Sequence, residues 1–182
     1  MNREARDILN FWCSDQTQPY WFKKDPAFDA EIRRLFLDSY ERAMDGKFTD
    51  WQKTPEGSLA LLILLDQFPR NMFRGTPRAF ASDEAARKVA DWAVDRDYDL
   101  KYPELQRIFF YLPFEHSEDL DDQHRAVELV VQRCNVGEYL RYALAHRDVI
   151  ARFGRFPHRN DILGRRNTPD EEDYLRQPGA GF

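Results

Sequence analysis

No stretch of the sequence approaches the ~20 apolar residues needed to cross a membrane. The charged start, MNREARDILNFW, also lacks the hydrophobic segment of a secretion signal. A membrane partner is therefore not expected. Cysteine is scarce. Cys13 and Cys134 stand alone, with no CxxC spacing to build a zinc site or a disulfide framework. Two isolated thiols fit a reducing compartment, so the expected location is cytoplasmic. Lysine is scarce as well: the 27 basic residues are 21 Arg and 6 Lys. Arginine grips carboxylate and phosphate in a planar two-point fork, which lysine does not. Positive charge is not in surplus, because 32 acids leave a net charge of −5, and this excludes general nucleic-acid binding. No segment alternates polar and apolar residues with a period of two, so half-buried strands are not expected. There is no glycine-rich phosphate loop and no GxSxG elbow, and no cofactor is implied.

What the sequence has is helical patterning. The 182 residues fit one domain, 1–182, able to bury roughly 70% of its surface. Thr54 to Arg74 is its organising stretch, with an unbroken apolar run from Leu59 to Leu65. A helix hydrophobic all round belongs at the centre of a domain. Thr54 suits an N-cap, Pro55 the first helical position and Glu56 the first turn. Phe68 before Pro69 predicts an end or kink there. If a short helix continues to Phe73, Asp66 and Arg70 are spaced to pair.

Around this stretch the apolar positions recur at helical spacing: Ala5, Ile8, Leu9 and Trp12; Phe28 to Ala43 after an Asp25-Pro26 start; Ala86, Val89, Ala90 and Ala93 behind a Ser82 cap. Pro103 opens a helix that Pro113 stops, and Ser117 opens another. A further one carries Tyr139, Tyr142, Ala143, His146, Ile150 and Phe153 up to Gly154. Thr168-Pro169-Asp170-Glu171 reads as a capping box. The expected fold is all-α: successive helices joined by short loops, hence mostly antiparallel, around a buried central helix.

Three polar constellations interrupt this pattern. DQFPRN, from Asp66 to Asn71, and GRFPHRN, from Gly154 to Asn160, both place Phe-Pro at a helix end with Arg and Asn just beyond. The plain reading is that the phenylalanines pack and the Arg-Asn pairs satisfy exposed carbonyls. The functional reading is stronger for His158, Arg159 and Asn160, which lie in a loop. Arg152, Arg155, Arg159, Arg165 and Arg166 stand against one acid, Asp161, a locally basic patch in an acidic chain. Facing Arg70 and Arg74, it would form a pocket for carboxylate or phosphate; otherwise its arginines pair with the acid-rich turn from Glu118 to Asp122. The third constellation, PFEHSEDLDDQ, joins Glu115, His116 and Glu118 before a helix. A carboxylate beside a histidine can serve as an acid–base pair, with His116 as the candidate catalytic group. His116, Glu118 and His158 match no established metal spacing, and no metal is expected. His146-Arg147-Asp148 spells a kinase triplet, but it lies inside a helix with nothing else of a kinase. His124 falls on a charged, solvent-facing helix side.

These motifs resemble the bacterial family called domain of unknown function 924. ILNFW, Trp21-Phe22, DPAFD, LALLILLDQFPRNMFRGTPRAFASD, FFYLPFEHSEDLDDQ, FGRFPHRNDILGR and the PGAGF end carry the likeness over nearly the whole chain. The resemblance implies an all-α, tetratricopeptide-like arrangement, although no repeat of ~34 residues is found. It implies no catalytic residue. Cys13 stands where an aromatic or glycine-containing segment would be expected.

The leading functional expectation is a central cleft that binds a small anionic ligand or an acidic peptide end. Asp66, Arg70, Asn71, Arg74, His116, Arg155, His158, Arg159 and Asn160 would line it, with Asp66 orienting arginines. The alternatives are a small-molecule hydrolase using His116, and a helical scaffold for a protein partner whose polar network is purely structural.

Overall fold

The run from Leu59 to Leu65 is helical and buried along its whole length. The structure, a computed structural model, describes residues 2–181. Among them there is no β-strand, and the fold is all-α. Two compact units are described in turn: residues 2–74 with Arg78–Pro113, and Gly75–Pro77 with 114–181.

The first unit contains α1 (Arg3–Trp12), α2 (Pro26–Met44), α3 (Pro55–Leu62), α4 (Phe68–Met72), α5 (Asp83–Val94), α6 (Glu104–Arg107) and the start of α7 (Leu112–Glu115). The Thr54 side chain caps α3 by accepting the Gly57 N–H at 3.1 Å. Gly57 is required sterically: a Cβ there would stand 2.1 Å from the Trp51 carbonyl oxygen. α1 and α5 pack on α3, and α2 packs on α4. Their buried faces are Ala5, Ile8 and Trp12; Phe28, Ile32, Phe36 and Tyr40; and Ala86, Val89, Ala90 and Ala93, whereas Leu35, expected on the α2 face, stays 41% exposed. Burying each large apolar side chain contributes roughly 1.5–3 kcal/mol against the entropy of ordering it. Trp12 sits 5.5–6.2 Å, centroid to centroid, from the rings of Trp21, Phe28, Phe68 and Phe109.

Before Pro69 the helix does not end. It widens into a π turn over Ile63–Gln67, where the Phe68 N–H reaches back five residues to the Ile63 carbonyl, and then resumes as α4. Pro69 has no N–H to offer. The carbonyl four residues before it, Leu65, instead accepts the Ser82 hydroxyl at 2.5 Å. That is why Ser82 makes no side-chain capping bond at α5. Pro113 likewise fails to stop a helix. The segment after Pro103 breaks earlier, into α6 and a 3-10 turn at Ile108–Phe110, and Pro113 occupies the first turn of α7.

In the second unit, α8 (Leu120–Arg133) and α9 (Gly137–Phe153) pack on each other across the short link 134–136, and α10 (Pro169–Leu175) follows a loop. Asp119, not Ser117, caps α8, its carboxylate accepting the Asp121 N–H at 2.8 Å. Ser117 supports the cap by accepting the Asp119 N–H. Gly154 closes α9 with φ of 69°, a left-handed turn that glycine adopts without strain. The Thr168–Glu171 capping box opens α10.

Candidate functional site

The predicted site residues fall into both units, and in the first unit they are tied to acids. Asp66, 1% exposed, projects from the π turn. One of its oxygens accepts the Gln67 amide at 2.6 Å and the other lies 3.2 Å from Arg70. Arg70 donates to the Asp66 carbonyl at 2.7 Å and grips Asp83 in a two-point fork at 2.9 and 3.1 Å. Burial works against the guanidinium charge, but the Asp66 and Asp83 carboxylates outweigh it and hold the pKa above its ordinary value. Asn71 donates to Asp29 at 2.7 Å, and Arg74 forks onto the same carboxylate at 2.7 and 2.9 Å. Asp66 and Arg70, four residues apart, do meet as their spacing allows.

The second unit uses two more forks to hold the loop after α9. Arg165 grips Glu118 at 2.7 and 2.9 Å, and Glu118 also accepts the Phe156 N–H at 2.8 Å. Burial opposes ionisation of Glu118, and the Arg165 and Phe156 hydrogen bonds overcome it, lowering its pKa. Arg155 grips Glu171 at 2.6 and 2.8 Å, and these bonds hold the Glu171 carboxyl down to about 2. Asn160 bridges the two systems, accepting from Arg165 at 2.8 Å and donating to Asn167 at 2.8 Å and Glu171 at 3.3 Å. Arg155 and Asn160 thus shape the loop.

Phe156, fully buried, is the floor of a different cluster. The Arg159 guanidinium lies 4.4 Å from its ring centre, with the His158 ring at 5.4 Å and the His146 ring at 5.7 Å. The His116 ring stands 6.3 Å from His146. Gly181 of the C-terminal tail packs against His158: a Cβ there would meet that side chain at 3.1 Å. Burial, reinforced by the Arg159 charge, pushes His158 down to about 4. His146 Nδ1 lies 2.9 Å from the Tyr142 carbonyl and 3.0 Å from a carboxylate oxygen of Glu115, itself 3% exposed. Burial dominates and pushes the His146 pKa down to about 3, against the Tyr142 carbonyl, which favours a proton on the ring. A neutral imidazole with its proton on Nδ1 donates to these acceptors, which fixes its tautomer. Among the described residues, no group of three or more His, Cys, Asp or Glu side chains is placed to hold a metal ion.

Four participants escape a reading of the sequence as a site. Asp29 and Asp83 look like first-turn dipole partners of α2 and α5, and Glu171 looks like half of a capping box. His146 has a visible signal: it is the one histidine within the apolar stripe of α9, and a buried imidazole there must have polar partners.

A model of the family described as bacterial protein of unknown function (DUF924) matches residues 8–179. A solved structure of a protein of unknown function from Agrobacterium tumefaciens is similar, with a TM-score of 0.90 and 46% identity, over 96% of this chain and 97% of that one. No curated protein matches the chain. Among the described residues no helix is long and apolar enough to cross a membrane.

Proposed function

The chain belongs to the bacterial family of unknown function DUF924, and on that footing we propose that it binds a small anionic ligand, a carboxylate or phosphate group, at the cluster on Phe156. The observation that carries this reading is the gathering of Arg159, His158 and His146 on one buried ring. Burial first, and the Arg159 charge after it, disfavour protonation of both histidines, and an arriving anion would favour it. Arg70, Arg74 and Arg155 already grip carboxylates, and their role in this reading is to hold the scaffold. An acidic peptide end presents the same chemistry as a free carboxylate.

Thermal-shift and calorimetric titrations with sulfate, phosphate, nucleotides, small carboxylates and short acidic peptides test the proposal. A ligand at ~100 times its dissociation constant adds about 2.7 kcal/mol of stability. Sulfate keeps one charge down to pH 4, so its binding should tighten as pH falls from 6 toward 4, where His158 takes up a proton. Arg159→Lys keeps the charge but loses the fork, and should weaken binding. If no anion stabilises the chain and Arg159→Ala is itself strongly destabilising, the cluster is scaffolding and the function lies in a surface interaction.

A second reading, hydrolysis of a small molecule, draws on the 3.0 Å Glu115–His146 contact beside His116. It requires that His116→Asn and His146→Asn abolish turnover in an ester and phosphoester panel while the fold survives.

A further inference from the structure

One side chain of α8 grips the turn that leads into that helix. Gln123, 0% exposed, turns its amide back and donates to the Glu115 and Ser117 carbonyls at 2.7 Å each and to the Phe114 carbonyl at 3.4 Å. Its own oxygen, Oε1, accepts nothing among the described residues. Buried polar groups are as a rule satisfied at both ends, so this amide is placed for what it donates. The backbone under it is fixed as well, because the Gln123 N–H donates to the Asp119 carbonyl at 3.2 Å.

The gripped turn reaches the cluster on Phe156 with two carboxylates. Glu115 lies 3.0 Å from His146 Nδ1, and Glu118 accepts the Phe156 N–H at 2.8 Å. His116, between them in the chain, carries the ring 6.3 Å from His146.

We propose that Gln123 is a positioning residue of the Phe156 site: it fixes the turn 114–118, and through Glu115 it holds the His146 ring in place. The inference rests on the anion reading for what the site binds, and on these hydrogen bonds for its geometry. Groups that meet a ligand keep their places only when the side chains behind them are held. A glutamine that merely filled the core would affect stability alone. A positioning glutamine leaves a mark on His146.

The test is isotope-edited NMR of the histidine rings in the full chain, with a sulfate titration alongside, on Gln123→Met, which has the same length and no donor. The His146 Nδ1–H resonance should move upfield and exchange with water about tenfold faster as its carboxylate acceptor drifts away. Sulfate should bind about fivefold more weakly. Gln123→Asn keeps the amide but stops one methylene short, and gives a smaller change in the same direction if methionine leaves the chain unfolded. Ser117→Ala is the control. It removes the acceptor of the Asp119 N–H from the same turn and leaves the three carbonyls in the grip of Gln123. It should lower the melting temperature and leave the His146 resonance in place. The two readings fail separately. Sulfate that does not bind the wild-type chain overturns the anion site. A His146 resonance unchanged in a folded Gln123 variant, or moved equally by Ser117→Ala, overturns the role of Gln123.

Discussion

Phe68-Pro69-Arg70-Asn71 and Phe156-Pro157-His158-Arg159-Asn160 spell nearly the same peptide and reach different surroundings. Both phenylalanines are fully buried. In the first, the helix runs on through a π turn, and Arg70 lies between two carboxylates. In the second, the helix has stopped at Gly154, Pro157 opens a 3-10 turn, and Arg159 lies on an aromatic ring beside two imidazoles. The local sequence is shared, but the neighbours are not. Asp83 arrives from 13 residues away to close the first network, and His146 arrives from α9 to join the second. The first network is closed by acids. The second sets an arginine and two imidazoles on one ring, with the Glu115 carboxylate 3.0 Å from His146 and Glu118 acting on Arg159.

The sharpest way to break this contrast is to remove one member of each network. Arg70→Ala takes the arginine from the buried Asp66 carboxylate and from Asp83 and should cost roughly 3–5 kcal/mol in urea denaturation, whereas Asp66→Ala leaves Arg70 its fork on Asp83 and should cost less. Arg159→Leu keeps the contact area on Phe156 and should cost only about 1–2 kcal/mol. Equal losses would mean that both clusters are structural.

Next in size is the π turn. Ser82→Ala removes the donor to the buried Leu65 carbonyl and should cost roughly 1–3 kcal/mol. Pro69→Ala restores an N–H in the same place, so the double variant should be less destabilised than the sum of the two. Strict additivity would show that the serine does not replace the missing proline donor.

A smaller effect separates the networks by pH. His158 titrates near 4 in the fold, below its ordinary 6.5. The unfolded chain therefore takes up the proton first. This part of the stability is complete above pH 6.5 and is lost as pH falls toward 4. Burial of His146 acts in the same direction. The melting temperature should drop by roughly 2–4 °C per 1 kcal/mol lost, and His158→Gln should flatten the profile between pH 6.5 and 5. Glu171, held down to about 2, adds its loss only below about pH 4.5, so the two windows are distinguishable. The smallest effect belongs to Arg74, whose half-exposed fork on Asp29 should contribute no more than ~1 kcal/mol.

Much of the fold is written in local chemistry. Thr54, Asp25 and Thr168 cap the helices they precede, because a side-chain oxygen and an exposed N–H lie only a few residues apart. Asp66 and Arg70 meet because the helix continues past them. The π turn was not legible. Proline before a polar run predicts a stop, and only a hydroxyl supplied from Ser82 makes continuation favourable. The candidate site is legible as residue types in two motifs, whereas the division of labour within it is not. Arg155 and Arg165 serve Glu171 and Glu118, and the ring of Phe156 is shared by Arg159 and His158.

The sequence by itself determined that this chain is helical, that Leu59 to Leu65 is central, and that its polar residues concentrate in three motifs. Period, capping and composition act over a few residues, so they need no fold to operate. Only the tertiary structure decided which arginine meets an acid and which meets a ring. Ion pairs and stacking are set by distance in space, and the partners that matter, Asp29, Asp83, His146 and Glu171, are supplied by separate helices.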